Sequence, residues 1–369
     1  MFEKIKGQNK AISLLKRAVE SGKIANSYLF YGPAGVGKFT TALYFGMMIN
    51  CSAAHDKRPC GYCSSCSKFR NFSHPDFLFT FPTPKLDISL DGEIKSAKIL
   101  EEYKDYIKNK IETPWKKFYF SKNIEIRIDS IRMLEHRINL SPNEGTKKIY
   151  IVEYAEMLNE KTANAFLKTL EEPPHDTVII LTTSKLNALL PTIISRCQQI
   201  KFYPISQKLI EEELKNQRYL EDTEAKIFAR IANGNMEKAL VLAEEDSSEV
   251  RQNVLIFLQI VISQNDAKFI EFSANFKGSK NILQELISHL IIWISDIAYL
   301  QNYPENIINI DSLEMVKQLF MKNPKVENYA FEMIEFLENM QHKLARHVNA
   351  QLILIEIYNE FSKIFGGIH

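Results

Sequence analysis

Apolar residues in this chain follow two patterns, and the pattern changes once. Up to Tyr203, short unbroken apolar runs alternate with stretches of helical spacing; from about Ser206 onward only helical spacing remains. The runs Tyr28-Leu29-Phe30-Tyr31, Phe77-Leu78-Phe79-Thr80-Phe81, Ile149-Tyr150-Ile151-Val152-Glu153 and Thr177 to Thr183, with Gln199 to Tyr203, predict strands, and those at Tyr28 and Ile149 read as buried. Between them, Ile12, Leu15 and Val19 place a helix within Phe2 to Gly22, and another is predicted over Thr40 to Asn50. Asp129 is suited to cap a helix carrying Ile131, Leu134 and Ile138. Asn159 is suited to cap one whose Ala163, Phe166, Leu167 and Leu170 share a face, stopped by Pro173-Pro174. Pro82 and Pro84 end the second strand.

Strand–helix alternation predicts a parallel, three-layer α/β domain over 1–204. The short helices of 205–246, with a turn at Gly234-Asn235, predict a small helical domain. Residues 247–369 read as helical throughout, for example over Val254 to Ile262, Ile282 to Ala298 and Val348 to Phe365. The most apolar segment, Leu286 to Leu300, is interrupted by Ser288, His289, Ser295 and Asp296, so it is expected to be a buried helix and not a membrane span.

Composition narrows this little. Apolar residues make up 45% of the chain, enough for substantial cores. A net charge of +1 means that any nucleic-acid contact must come from a local patch. Met1-Phe2-Glu3-Lys4-Ile5-Lys6 has no signal-peptide pattern, so the cytosol is the expected compartment. There, clustered cysteines indicate a metal site over disulfides.

Two motifs carry chemistry. The first run leads into Gly32-Pro33-Ala34-Gly35-Val36-Gly37-Lys38 and then a helix. This is close to the loop that cradles nucleoside triphosphates, with Gly32, Gly35 and Gly37 letting backbone N–H groups converge and Lys38 reaching the outer phosphates. The next position should be Ser or Thr, to bind magnesium, and it is Phe39; Thr40 follows, about 100° further around the helix. The loop reads equally as a degenerate ATP or ADP site or as one that only packs the fold. The second motif is Cys51, Cys60, Cys63 and Cys66, whose two overlapping C-x2-C turns and fourth thiol suit a tetrahedral zinc. Such a site has no position for water and is expected to be structural, with Lys57, Arg58, Lys68 and Arg70 near its negative charge. His74 is expected to cap or pack a turn. The lysine-rich insertion 85–123, ending in Trp115, Phe118, Tyr119 and Phe120, also carries acids and reads as a solvated helical insertion with an aromatic anchor.

Further residues add a resemblance. Gly7-Gln8, Ser27-Tyr28-Leu29-Phe30, the four cysteines after the loop helix, Ala163 to Pro174 and Ser195-Arg196-Cys197 resemble bacterial clamp loaders, the AAA+ subunits of DNA polymerase III. The match spans about residues 1–245. It implies an AAA+ core over 1–204 holding a zinc module (51–66), a helical lid over 205–246, and a collar over 247–369 that joins subunits of a pentamer. The implied partners are gamma/tau and delta subunits, with the sliding clamp and primed DNA reached through the complex. In that family an Asp-Glu pair ends the third strand, and a lid arginine senses nucleotide. The matching positions here are Glu153-Tyr154 and Glu237. With Phe39, these depart from a hydrolytic site at three places, which resembles the delta-prime type of subunit, the stator. The resemblance then assigns Arg196 the role of a finger reaching a neighbour's ATP site. It places Thr182 and Thr183 at the first sensor and leaves Cys197 as a core thiol. The alternative is an active gamma/tau-like ATPase in which Glu153 holds metal and Thr40 replaces the missing hydroxyl. A stand-alone zinc-binding DNA protein is weaker still, given the charge.

Overall fold

The computed structural model describes the chain except residues 86–95, 113–119, 121–123, 129, 130, 132–140, 219, 245, 246, 277–279, 325, 346, 347 and 366–369. The described residues form two compact units. One comprises 1–212 with 232–241, the other 213–231 with 242–369.

The first unit is built on a five-stranded parallel sheet. Its strands are β1 (Ser27–Tyr31), β2 (Phe77–Thr80), β3 (Lys148–Val152), β4 (Thr177–Thr183) and β5 (Gln198–Lys201), in the order β2-β3-β4-β1-β5. Every residue of β3 and β4 is buried, which explains why both are unbroken apolar runs instead of alternating ones. Register is fixed by pairs such as Tyr28 with Ile180 and Ile149 with Val178. Helices α1 (Asn9–Glu20), α2 (Lys38–Asn50), α3 (Ser64–Arg70), α4 (Ala97–Glu112), α5 (Glu160–Glu171) and α6 (Pro191–Ser195) accompany the strands. Asn159 caps α5 by accepting the Thr162 N–H, as its position in the sequence implies.

The strand order reverses at β1, which lies between β4 and β5. Ligands of such sheets sit beyond the carboxyl ends of strands at that crevice. The loop 32–37 leaves β1 at this point.

The second unit is helical. Helix α7 (Gln207–Arg218) spans the boundary between the units, α8 (Asp222–Ala232) lies in the second up to Ile231, and α9 (Met236–Glu244) belongs to the first up to Val241. Then come α10 (Ser247–Ser263), α11 (Asp266–Ala274), α12 (Lys280–Asn302), α13 (Leu313–Lys322), α14 (Val326–Ala345) and α15 (Ala350–Phe365). Its core runs from Val254 and Phe257 through Leu290 and Ile294 to Leu337 and Phe361. By length and composition α12 is apolar enough to cross a membrane, yet half of that stretch is buried inside the protein. Its Asp296 is fully buried and accepts the N–H groups of Ile308 and Asn309 and the Asn309 amide. A carboxylate with three donors is a core clamp, in keeping with the reading of this segment as a buried helix.

The helix expected over 129–138 lies outside the described residues except for Ile131, which is buried, and Trp115, Phe118 and Tyr119 of the insertion also lie outside them. The described part of the insertion is chiefly α4, whose Tyr106 and Tyr103 stack on Phe81 at 4.0 and 5.2 Å, and the expected anchor residue Phe120 packs on Tyr106 at 5.7 Å.

Candidate functional site: a filled phosphate loop, a thiol cluster and an exposed arginine

The glycines of the loop are required by geometry. Gly35 and Gly37 have φ of +66° and +87°, which a side chain strains to adopt. A Cβ on Gly32 would lie 2.3 Å from the Phe202 carbonyl oxygen, and one on Gly35 would lie 1.6 Å from Asn235 Oδ1. Asn235 therefore closes directly over the loop. The Met236 N–H donates to the Gly35 carbonyl at 3.0 Å, tying the start of α9 to the same place.

Lys38, which would reach the outer phosphates, is engaged within the protein. Lys38 Nζ donates to the carbonyls of Gly32, at 2.8 Å, and of Pro33. Burial pulls Lys38 down to about 8, against the pull of Glu156, Glu237 and Glu153, which favour its charge. Phe39 is buried against Phe79 (4.9 Å) and Phe72 (6.0 Å), so aromatic packing occupies the place of the magnesium-binding hydroxyl. Thr40 lines a cavity together with Phe39, Tyr44, Arg70 and Lys110.

At the end of β3, Glu153 is buried but not free. Lys110 Nζ lies 2.6 Å from its Oε1, and the Tyr106 hydroxyl donates to Oε2 at 3.1 Å. Lys110 also sits 4.4 Å from the centre of the Phe39 ring. The next residue, Tyr154, has φ of +56° and a phenol held protonated, first by the charge of Glu153 and then by burial. Glu156 accepts from the backbone and hydroxyl of Ser184. Thr182 and Thr183 are buried; Thr183 Oγ1 accepts the Lys185 N–H, and the Thr183 carbonyl accepts the Gly32 N–H. The residues around the loop do not fit magnesium: an aromatic ring replaces the hydroxyl, and an ammonium is seated on the acid.

The four cysteines do converge. The Sγ atoms of Cys51, Cys60, Cys63 and Cys66 lie within 4.8 Å of one another, with Cys51–Cys63 at 3.9 Å and Cys60–Cys66 at 4.0 Å. A tetrahedral zinc with sulfur ligands at about 2.3 Å needs edges of about 3.8 Å. Backbone N–H groups of Cys60, Cys63 and Cys66 point at Sγ of Cys51, Cys60 and Cys63. Burial opposes ionisation of Cys63, yet the N–H groups of Cys66 and Ser52 bring it down to about 6. The donor set therefore fits a thiophilic ion. His74 is no part of it: the ring stacks on Phe69 at 4.3 Å, and Nδ1 accepts the Asp76 N–H.

Arg196 follows α6 and lies about a third exposed. Its Nη1 donates to the Thr192 carbonyl at 2.9 Å and its Nη2 meets Glu171 Oε1 at 2.5 Å. Cys197 is buried, with its thiol pushed up to about 12 by desolvation. Glu237 stands in the first turn of α9, its backbone N–H 3.4 Å from the Gly35 carbonyl.

Sequence reasoning gave no role at the site to Tyr106, Lys110 or Asn235. Tyr106 and Lys110 are four apart and share a helical face, which was visible, but nothing in the sequence indicated where that face docks.

A model of the DNA polymerase III, delta subunit family matches residues 7–206. The chain is 25% identical to DNA polymerase III subunit delta' of Bacillus subtilis over 349 residues, covering 93% of each chain. It is 30% identical to subunit tau of the same organism over 249 residues, covering 66% of this chain and 37% of tau. To subunit delta' of Pseudomonas aeruginosa it is 31% identical over 175 residues, covering 47% of this chain and 42% of that one.

Proposed function

The chain belongs to the DNA polymerase III delta-subunit family of AAA+ clamp-loader subunits, and from that premise we propose that it is the stator, the delta-prime type. In this reading it helps load the sliding clamp onto primed DNA while its own phosphate loop hydrolyses nothing. The observation that carries the reading is the engagement of Glu153 by Lys110 beside a buried Phe39. Phosphoryl transfer relies on a positioned metal and a positioned water. Here the acid that would hold the metal is occupied, and Tyr154 follows where a carboxylate base would stand.

The chain acts instead through Arg196. Its guanidinium enters the ATP site of an adjoining subunit and stabilises charge on the transferring phosphoryl group. Its partners are gamma/tau-type and delta subunits in a pentamer, joined through the helical region 247–369, with 205–246 as the lid and 1–204 as the core. It works in the cytoplasm, and no membrane is involved. Cys51, Cys60, Cys63 and Cys66 hold zinc, which when bound cross-links the segment between α2 and α3. Nucleotide at the loop, ATP or ADP, is not needed for this role.

The 30% identity to tau favours a second reading, an active gamma/tau-like ATPase that holds metal at Glu153 with help from Thr40. The chain spans little more than a third of tau, so this rests on the shared segment alone. One experiment separates the two. The isolated, zinc-loaded chain is assayed for ATP turnover and then mixed with tau- and delta-type subunits. The stator shows no turnover above background alone and co-elutes with the mixture. Magnesium-dependent turnover by the chain alone establishes the second reading.

A further inference from the structure

The insertion helix α4 brings a cation to the phosphate-loop pocket. Tyr106 and Lys110, one turn apart, both reach Glu153, one to each carboxylate oxygen. The Lys110–Glu153 pair is shielded, with side chains 11% and 7% exposed. The ammonium lies over the Phe39 ring, so the residue that removed the metal-binding hydroxyl also supplies an aromatic seat for a cation. Stacking of Tyr103 and Tyr106 on Phe81 holds the helix in place. An acid in this position serves in hydrolytic sites to hold a divalent ion. A buried carboxylate with no cation beside it would be costly, and here the protein supplies the cation itself.

Resting on the reading of an idle pocket, we propose that Lys110 is the resident cation of the phosphate-loop pocket, standing at Glu153 in place of a divalent metal. Lys110 thereby decides the ligand class of the pocket: nucleotide polyphosphate is either taken without divalent metal or not taken. Phe39 alone does not set this. Restoring a hydroxyl at that position leaves the acid still occupied, and a divalent ion arriving there meets an ammonium at contact distance.

The test is Mn2+ binding to the full chain, read by loss of the free-ion electron paramagnetic resonance signal, with ATP present and the cysteine cluster loaded with zinc. Wild type and Phe39→Thr are expected to take up no Mn2+ beyond what ATP binds in solution. The Phe39→Thr/Lys110→Met variant is expected to gain about one ion per chain, and adding Glu153→Gln to abolish the gain. Uptake of one ion by wild type or by Phe39→Thr overturns the proposal, as does a folded double variant that gains none. If the double variant does not fold, amine acylation of wild type decides. Lys110 should stay protected with and without Mn2+ and ATP, and labelling that rises when they are added shows displacement and overturns the proposal. ATP turnover by the isolated chain would end the idle-pocket reading itself, whereas Mn2+ uptake by Phe39→Thr without turnover ends only the role of Lys110.

Discussion

Replacing Lys38 by Met tests whether the phosphate loop is built to stand without phosphate. Among the described residues no carboxylate forms an ion pair with Lys38. It is partly buried, donates to the Gly32 and Pro33 carbonyls, and is pulled down to about 8 from 10.5 by desolvation. A base whose folded pKa is depressed costs stability wherever it is protonated. Between pH 8 and pH 10.5 the unfolded chain retains a proton that the folded chain has released, so stability rises with pH across that window. The charged lysine therefore costs about 3 kcal/mol at pH 7 and under about 1 kcal/mol at pH 10. Lys38→Met removes this dependence, although it also removes two hydrogen bonds at every pH. The diagnostic quantity is thus the slope. The stability of wild type relative to Lys38→Met should rise by about 2–3 kcal/mol from pH 7 to pH 10. Urea unfolding read by hydrogen-exchange mass spectrometry of the β1–α2 peptides measures it in the first unit. A difference that stays flat over that range would refute the claim that Lys38 is desolvated.

Other outcomes are expected elsewhere. Protein purified without chelator should carry about one equivalent of zinc, lost in Cys66→Ser; less than about half an equivalent in wild type counts against the tetrathiolate site. Asp76 is buried, which favours its neutral form, but the N–H groups of Asn143, Gly145 and Glu144 outweigh burial and hold its carboxyl below the usual range. Its contribution is complete above about pH 4 and is lost as pH falls through the depressed value, so Asp76→Asn should cost about 2–4 kcal/mol at pH 7 and less in acid, measured by urea unfolding. Glu171→Ala removes a half-exposed partner of Arg196 and should change stability by no more than about 1 kcal/mol; a larger loss on urea unfolding would show a structural role.

Much of the architecture was legible in the chain because strands buried on both faces, such as β3 and β4, are unbroken apolar runs; β5 is the exception and buries only Ile200. The runs around Tyr28, Phe77, Ile149, Thr177 and Gln199 each became a strand, though β5 begins one residue early and ends at Lys201. The cysteines were equally legible, since overlapping C-x2-C turns force the thiols of Cys60, Cys63 and Cys66 close together. The Asn159 cap could be read from its position ahead of an apolar face. The filling of the phosphate pocket could not. Phe39 and Tyr154 mark the absence of groups, but what replaces them comes from Lys110, 43 residues away from Glu153 along the chain. A lysine among many in a charged helix looks like a solvated one until the docking of α4 is known. Asn235 closing on Gly35 is a contact of the same kind, made across the fold and invisible to local pattern.

The most direct measurement is single-turnover ATP hydrolysis in a clamp loader assembled from tau- and delta-type subunits with this chain as wild type, Arg196→Ala or Arg196→Lys. A finger supplied in trans is worth about 10³–10⁵ in rate, so the ATP site facing this chain should slow by at least about 10³-fold in Arg196→Ala. Arg196→Lys should recover little, because a point charge lacks the planar fork. Equal rates for all three, in complexes shown to be intact, would contradict the role assigned to Arg196.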